Sequence, residues 1–333
     1  MLQTLPLVLF VIMAEVSIGA VSVLVFLDWR NEVKRGFLVS YALIYLVLTG
    51  LTYWFQRGFA TPALLNTFPL LDKAWTVQLS LPLLLFFLLL TCYSFFLLLD
   101  GRAGVQDAPE QAKIADTDTA SAAHRGSPLR VLRLASGVLT VAAGLLTLLV
   151  IAMIFRPLAP VNLAGAFTVA GFFAAAFALG GVLTAMWLGH WYLVTPALSE
   201  RPLQFSTTLV LVAVVAQIVL FLAAGPHSTS ANHISAQVPQ TVTATTVPAG
   251  SASSLNNGVR PANAPVITPI SATGISWLHI LVGFAMPLLL GGLAWKLIRD
   301  RSFQSATGML YLVVVCTLAG EIIARGLFLS GLA

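Results

Sequence analysis

The stretch GEIIARGLF, Gly320–Phe328, sets a glutamate and an arginine four residues apart inside an otherwise apolar run. Residues i and i+4 share one face of a helix, so Glu321 and Arg325 are expected to form a mutually compensating pair. Glu15, in the apolar run PLVLFVIMAEVSIGAVSVL, is a third charge in such surroundings, and His279 stands near the start of another run. A charge near the centre of a bilayer costs at least about 2.5–3.5 kcal/mol on insertion scales, so each needs a structural or functional reason. Together these residues offer what a lipophilic quinone requires: an apolar slot, a hydrogen-bond donor and a proton acceptor.

The elements that must carry them follow from composition. Of 333 residues, 58% are hydrophobic and 9% charged, which excludes an ordinary soluble domain. Eight apolar runs are long enough to cross a hydrocarbon layer about 30 Å thick. They lie near residues 5–27, 37–56, 77–99, 131–155, 164–188, 205–225, 276–297 and 307–330. Lipid offers no partner to unpaired backbone groups, so the expected fold is an all-α polytopic membrane bundle. The first run has no basic residue before it and exceeds the usual length of a signal-peptide core, so it is read as a span.

Lysine and arginine are unevenly shared between the two sides. The loops after the first, third, fifth and seventh runs hold twelve, and the opposite loops hold four: Arg57, Lys73, Arg156 and Arg260. The positive-inside rule then places both termini outside the cytoplasm, with the chain in the inner (cytoplasmic) membrane. The net charge of +5 is thereby a topology signal and not a nucleic-acid signal. Residues 101–130 form a polar cytoplasmic loop, and 226–275 a low-complexity extracytoplasmic loop rich in Ser, Thr, Ala, Pro and Asn. The second divides the chain into a six-helix block, 1–225, and a two-helix hairpin, 276–333.

At a rise of about 1.5 Å per residue, Glu321 and Arg325 fall in the outer half of the membrane, Glu15 near its middle and His279 near the outer boundary. Gln56, Arg57, Trp75 and Gln78 reach the same rim and are secondary candidates. On the opposite side, His190, Trp191 and Tyr192 form either a headgroup-level aromatic belt or a surface for a partner. Cys92 and Cys316 show no metal or disulfide spacing. His190 and His279 lie near opposite faces, against a bis-histidine haem, while His/Met ligation stays open. No haem, metal site or iron-sulfur cluster is expected in this chain, and hydrolase and nucleotide-binding motifs are absent from the sequence.

The last two runs resemble a known family. GEIIARGLF is similar to the C-terminal helix of the membrane anchor subunits of dimethyl sulfoxide reductase-type molybdoenzymes, the DmsC family, and more loosely of the NrfD-like quinol-interacting anchors. LHILVGFAMPLLLGG, Leu278–Gly292, resembles the preceding helix of that family, with Gly283 and Pro287 at matching places. The resemblance implies an anchor that binds quinol and passes electrons to an iron-sulfur subunit serving a molybdopterin catalytic subunit. The family's quinol-linked histidine and glutamate of helices two and three have no counterpart here, and His279 stands where relatives tend to have arginine. A stand-alone small-solute transporter or scaffold, with Glu321 and Arg325 structural, is the alternative.

Overall fold

The computed structural model describes residues 4–101, 103–104, 128–158, 164–194, 199–224 and 272–330. Among the described residues the chain is an all-α polytopic bundle with eight helices long and apolar enough to cross a membrane. They are α1 Leu5–Arg30, α2 Arg35–Phe59, α3 Ser80–Leu99, α4 Pro128–Phe155, α5 Ala164–Val194, α6 Arg201–Ala224, α7 and α8 Phe303–Ser330. The helix α7 joins Ala272–His279 and Met286–Arg299 through a π-helical turn, Ile280–Ala285. Two single-turn helices, Pro62–Leu65 and Lys73–Thr76, connect α2 to α3 and are capped by the side chains of Thr61 and Asp72. Most of the polar 101–130 segment and nearly all of 226–275 lie outside the described residues.

All eight expected spans are present, and several extend beyond the apolar run that reveals them. The largest extension is α5, which continues past residue 188 to Val194. Within its length a helix satisfies its own backbone whatever its side chains, so polar residues at a headgroup boundary do not force it to stop.

Packing arranges the helices as two rings of four. In the first, α1 packs on α2, α2 on α3, α3 on α4 and α4 on α1; α5 to α8 repeat that cyclic order. The rings meet where α1 packs on α5 and α8, and α4 on α5. Helix α1 is apolar around its circumference and almost entirely buried, as expected of a helix surrounded by others.

Small residues permit the closest contact between the rings. A Cβ on Gly19 would lie 1.8 Å from the Ala176 carbonyl oxygen, and one on Gly180 would lie 2.1 Å from the Gly19 carbonyl carbon. Backbone therefore touches backbone where α1 crosses α5. Association of helices in lipid gains nothing from hydrophobicity between them and relies on such close packing.

The second such contact joins α7 to α8. A Cβ on Gly320 would lie 2.3 Å from the Gly283 Cα. Gly283 belongs to the π turn and stands four residues before Pro287. Proline lacks the N–H that would bond the Gly283 carbonyl and its ring crowds that oxygen, so the helix widens there without breaking.

Adding a methyl group is a direct test of this packing. Gly180→Ala is expected to lower stability by about 1–3 kcal/mol, as overpacking does elsewhere. Gly171→Ala, on the same helix with open space around it, should leave the melting temperature at or slightly above that of the parent. Thermal unfolding in a mild detergent separates the two outcomes.

Candidate functional site

The Arg325 guanidinium does not close on Glu321, its neighbour one turn away. It crosses to α1 and donates through Nη2 to Oε1 of Glu15 and through Nε to Oε2 at 3.4 Å. The carboxylate is fully buried and Arg325 nearly so. A planar guanidinium matches a carboxylate in this forked geometry. The Arg325 Cζ also sits 3.8 Å from the centre of the Phe172 ring, and Phe172 contacts Phe155 and Phe328. One face of the guanidinium is thus covered by the Phe172 ring of α5, which aromatic rings from α4 and α8 brace.

The expected i, i+4 compensation is corrected accordingly: the partner of Arg325 is Glu15. Glu321 instead accepts a hydrogen bond from Nε2 of Gln217, on α6. It is buried and still feels the charge of Arg325. Gln217 was not singled out from sequence, although a lone amide in the apolar run VAVVAQIVLF carries the same signal as a lone charge.

His279 is buried beside this cluster. Its ring meets Phe284 at 4.7 Å and Phe221 at 6.2 Å, both edge-on. A Cβ at Gly283 would lie 2.9 Å from the imidazole, so the glycine leaves room for the ring. Arg325 is near enough to act on His279 electrostatically. The four primary candidates are therefore brought together, with Gln217 added, from α1, α6, α7 and α8. The cluster holds two carboxylates and one guanidinium.

The secondary candidates do not join it. Gln56 is buried and donates to the Ala60 carbonyl at 3.2 Å and to the Ser80 hydroxyl at 3.1 Å, tying α2 to α3. Arg57 and Gln78 are exposed, and Trp75 is half-buried against the apolar core. The His190 group is also largely internal. Tyr192 is buried and donates to the Ser199 carbonyl, and Trp191 packs edge-on to Phe37. Of the three only His190 is exposed, so Trp191 and Tyr192 fasten α5 to its neighbours and do not form an open partner surface.

A second buried network was not anticipated, because its charges stand at the ends of apolar runs. Arg133, on α4, pairs with Asp28 of α1 at 3.0 Å and with Asp100, just after α3, at 2.5 Å. Tyr93 donates to Asp28 at 3.0 Å. Arg133, Asp28 and Tyr93 are each at most 2% exposed. Nearby, Arg35 donates to the carbonyls of Leu98 and Asp100, covering the negative end of α3. Asp28 and Arg133 therefore join Glu15, Glu321 and Arg325 as charges inside the bundle.

Among the described residues no group of three or more His, Cys, Asp or Glu side chains is arranged to hold a metal ion. Cys92 and Cys316 are free thiols on α3 and α8. No family model, no curated protein and no solved structure matches this chain.

Breaking a buried pair by removing one partner costs about 3–5 kcal/mol, because a charge is left without compensation. Arg133→Gln strands both Asp28 and Asp100 and is expected to show a loss of that order in detergent unfolding. Arg57→Gln, at an exposed site, should stay within about 0.5 kcal/mol of the parent.

Proposed function

We propose that this chain is the membrane anchor subunit of a respiratory oxidoreductase, seated in the cytoplasmic membrane, that binds quinol at the cluster of Glu321, Gln217, His279 and Arg325. Electrons pass from there to an iron-sulfur partner subunit and on to a molybdopterin catalytic subunit. The observation that supports this reading is the excess carboxylate: Arg325 is engaged by Glu15, and Glu321 is held by a neutral amide.

Quinol supplies two electrons and two protons when it is oxidised. The residues fit its demands by chemistry. Phe221 and Phe284 offer apolar ring faces beside His279, and the amide of Gln217 and the imidazole of His279 are able to donate to an oxygen. Glu321 is the proton acceptor in this scheme, taking the two protons in succession and passing the first to solvent before the second is released, since the carboxylate of Glu15 is already occupied by a guanidinium. Glu15 and Arg325 then act as positioning residues, fixing α8 and with it the carboxylate one turn away. The π turn beside His279 is the kind of local departure from α-helix that recurs at functional sites.

The stand-alone transporter or scaffold reading is favoured by one observation. The two cavities described below lie elsewhere, and none of Glu15, His279, Glu321 and Arg325 lines them. In that reading the cluster only holds the rings together.

A fluorescent quinol analogue distinguishes the two with the purified chain in lipid nanodiscs. Saturable quenching on binding is expected, with Glu321→Gln weakening affinity about tenfold, the equivalent of one lost hydrogen bond to a charged group. Absence of saturable quenching by the parent protein would defeat the anchor reading. Normal binding by a well-folded Glu321→Gln variant would defeat the residue assignment.

A further inference from the structure

At the end of the bundle opposite the Glu15 cluster, α1, α4, α5 and α6 leave an apolar cavity of about 500 Å³. Its walls include Phe26, Val138, Ala142, Phe177, Phe205 and Leu209. A second cavity, lined by α1 and α4, shares Trp29 and Val138 with it, so the two form one groove on the outside of the bundle. Val138 and Trp29 are each 63% exposed, which leaves the groove open to the surrounding lipid.

Three arginines stand one helical turn beyond the groove's lining residues, all in the same direction. Arg30 follows Phe26 by four positions, Arg201 precedes Phe205 by four, and Arg130 precedes Leu134 by four. Residues so spaced share a helix face, so the basic groups rim the end of the groove. The Arg30 Cζ lies 5.7 Å from the centre of the Phe26 ring, and Phe26 stacks on Phe205 at 4.6 Å. Arg201 is exposed. Arg30 pairs with Glu32 at 2.7 Å in an open setting, where such a pair contributes little and exchanges readily. Glu200, the residue before Arg201, is engaged by Arg301 at 3.4 Å. The rim therefore carries three guanidinium groups at the level of an exposed tryptophan, the ring type that collects at lipid headgroups.

We propose that this groove is a binding site for an anionic phospholipid, with an acyl chain against Phe26, Val138 and Ala142 and the phosphate at Arg30, Arg130 and Arg201. Charge complementarity selects this occupant. An uncharged chain or a quinone tail satisfies the apolar walls alone, whereas a phosphate with net negative charge also uses the three guanidinium groups. The bias in basic residues, eleven to four once the enclosed Arg133 is set aside, turns this end toward the cytoplasmic leaflet, whose anionic lipids attract such clusters. The site is independent of the quinol reading, because it shares no residue with the Glu321 cluster.

The experiment is native mass spectrometry of the full chain, purified in detergent and offered phosphatidylglycerol and phosphatidylcholine of equal chain length. The parent protein should retain phosphatidylglycerol selectively. Replacing Arg30, Arg130 and Arg201 together by glutamine should reduce that selectivity about tenfold or more. Ala142→Trp, which fills an exposed part of the groove, should reduce retention of the lipid with the arginines intact. Thermal unfolding identifies any variant that fails to fold, and brominated phosphatidylglycerol read as the difference between parent and Trp29→Phe fluorescence then serves in its place. Quenching assigned to Trp29 supports the site; its absence overturns it. Equal retention of the two lipids, or undiminished selectivity in the triple variant, would overturn the proposal, as would displacement of the lipid by a neutral quinone.

Discussion

The bidentate pair between Glu15 and Arg325 is the constraint on which the arrangement of the two rings depends. It joins α1, the helix of the first ring that the second ring encloses, to the last helix of the second, between residues separated by most of the chain. Neither charge has water to fall back on, so each requires the other. Phe172 covers the guanidinium from a third helix, so the pair fixes three helices at one depth. Sliding α1 against α8 by a single turn would strand both charges. Hydrophobic packing among lipid-like side chains imposes no such register.

Helix α1 is held at two levels. Glu15 and Asp28 are thirteen residues apart, about 20 Å along a helix, and each meets an arginine from a different helix. Between them, Gly19 lets the α5 backbone approach to contact. The central helix is therefore fixed by charge near its middle and near its C-terminal end, and by shape between the two. The two arginines serve different ends: Arg133 closes the first ring by linking α4 to α1 and to the end of α3, whereas Arg325 closes the first ring onto the second. In the second ring the Gly283 to Gly320 contact brings the π turn of α7 beside Glu321. The glycines, proline and arginine of α7 and α8 thus have a physical use here: glycines for close approach, a proline for the widened turn and a charge that must cross to α1.

The eight spans were legible because hydropathy and length determine them almost alone. Glu15, Glu321 and Arg325 were legible for the complementary reason, that a charge within an apolar run is conspicuous. The partner of Arg325 was not, because local spacing offered Glu321 as a ready partner and said nothing of a carboxylate 310 positions away. Asp28 and Arg133 escaped notice because a charge at the end of an apolar run looks like a loop charge. Only the packing of α1, α3 and α4 reveals that both are enclosed. Trp191 and Tyr192 err in the opposite direction, since aromatic residues near a boundary suggest an open belt and here pack against neighbouring helices. The four-by-four ring order is a property of non-local contacts and leaves no repeat in the residues themselves.

The most direct test of the central claim is a pair of double-mutant cycles on unfolding free energy in bicelles, one for Glu15→Gln with Arg325→Gln and one for Glu321→Gln with Arg325→Gln. Contacting charges couple by about 0.5–3 kcal/mol, and the account predicts that Glu15 and Arg325 reach the upper part of that range. Glu321 and Arg325 should couple more weakly, because Gln217 is the hydrogen-bond partner of that carboxylate. Stronger coupling of Arg325 to Glu321 than to Glu15 would contradict it.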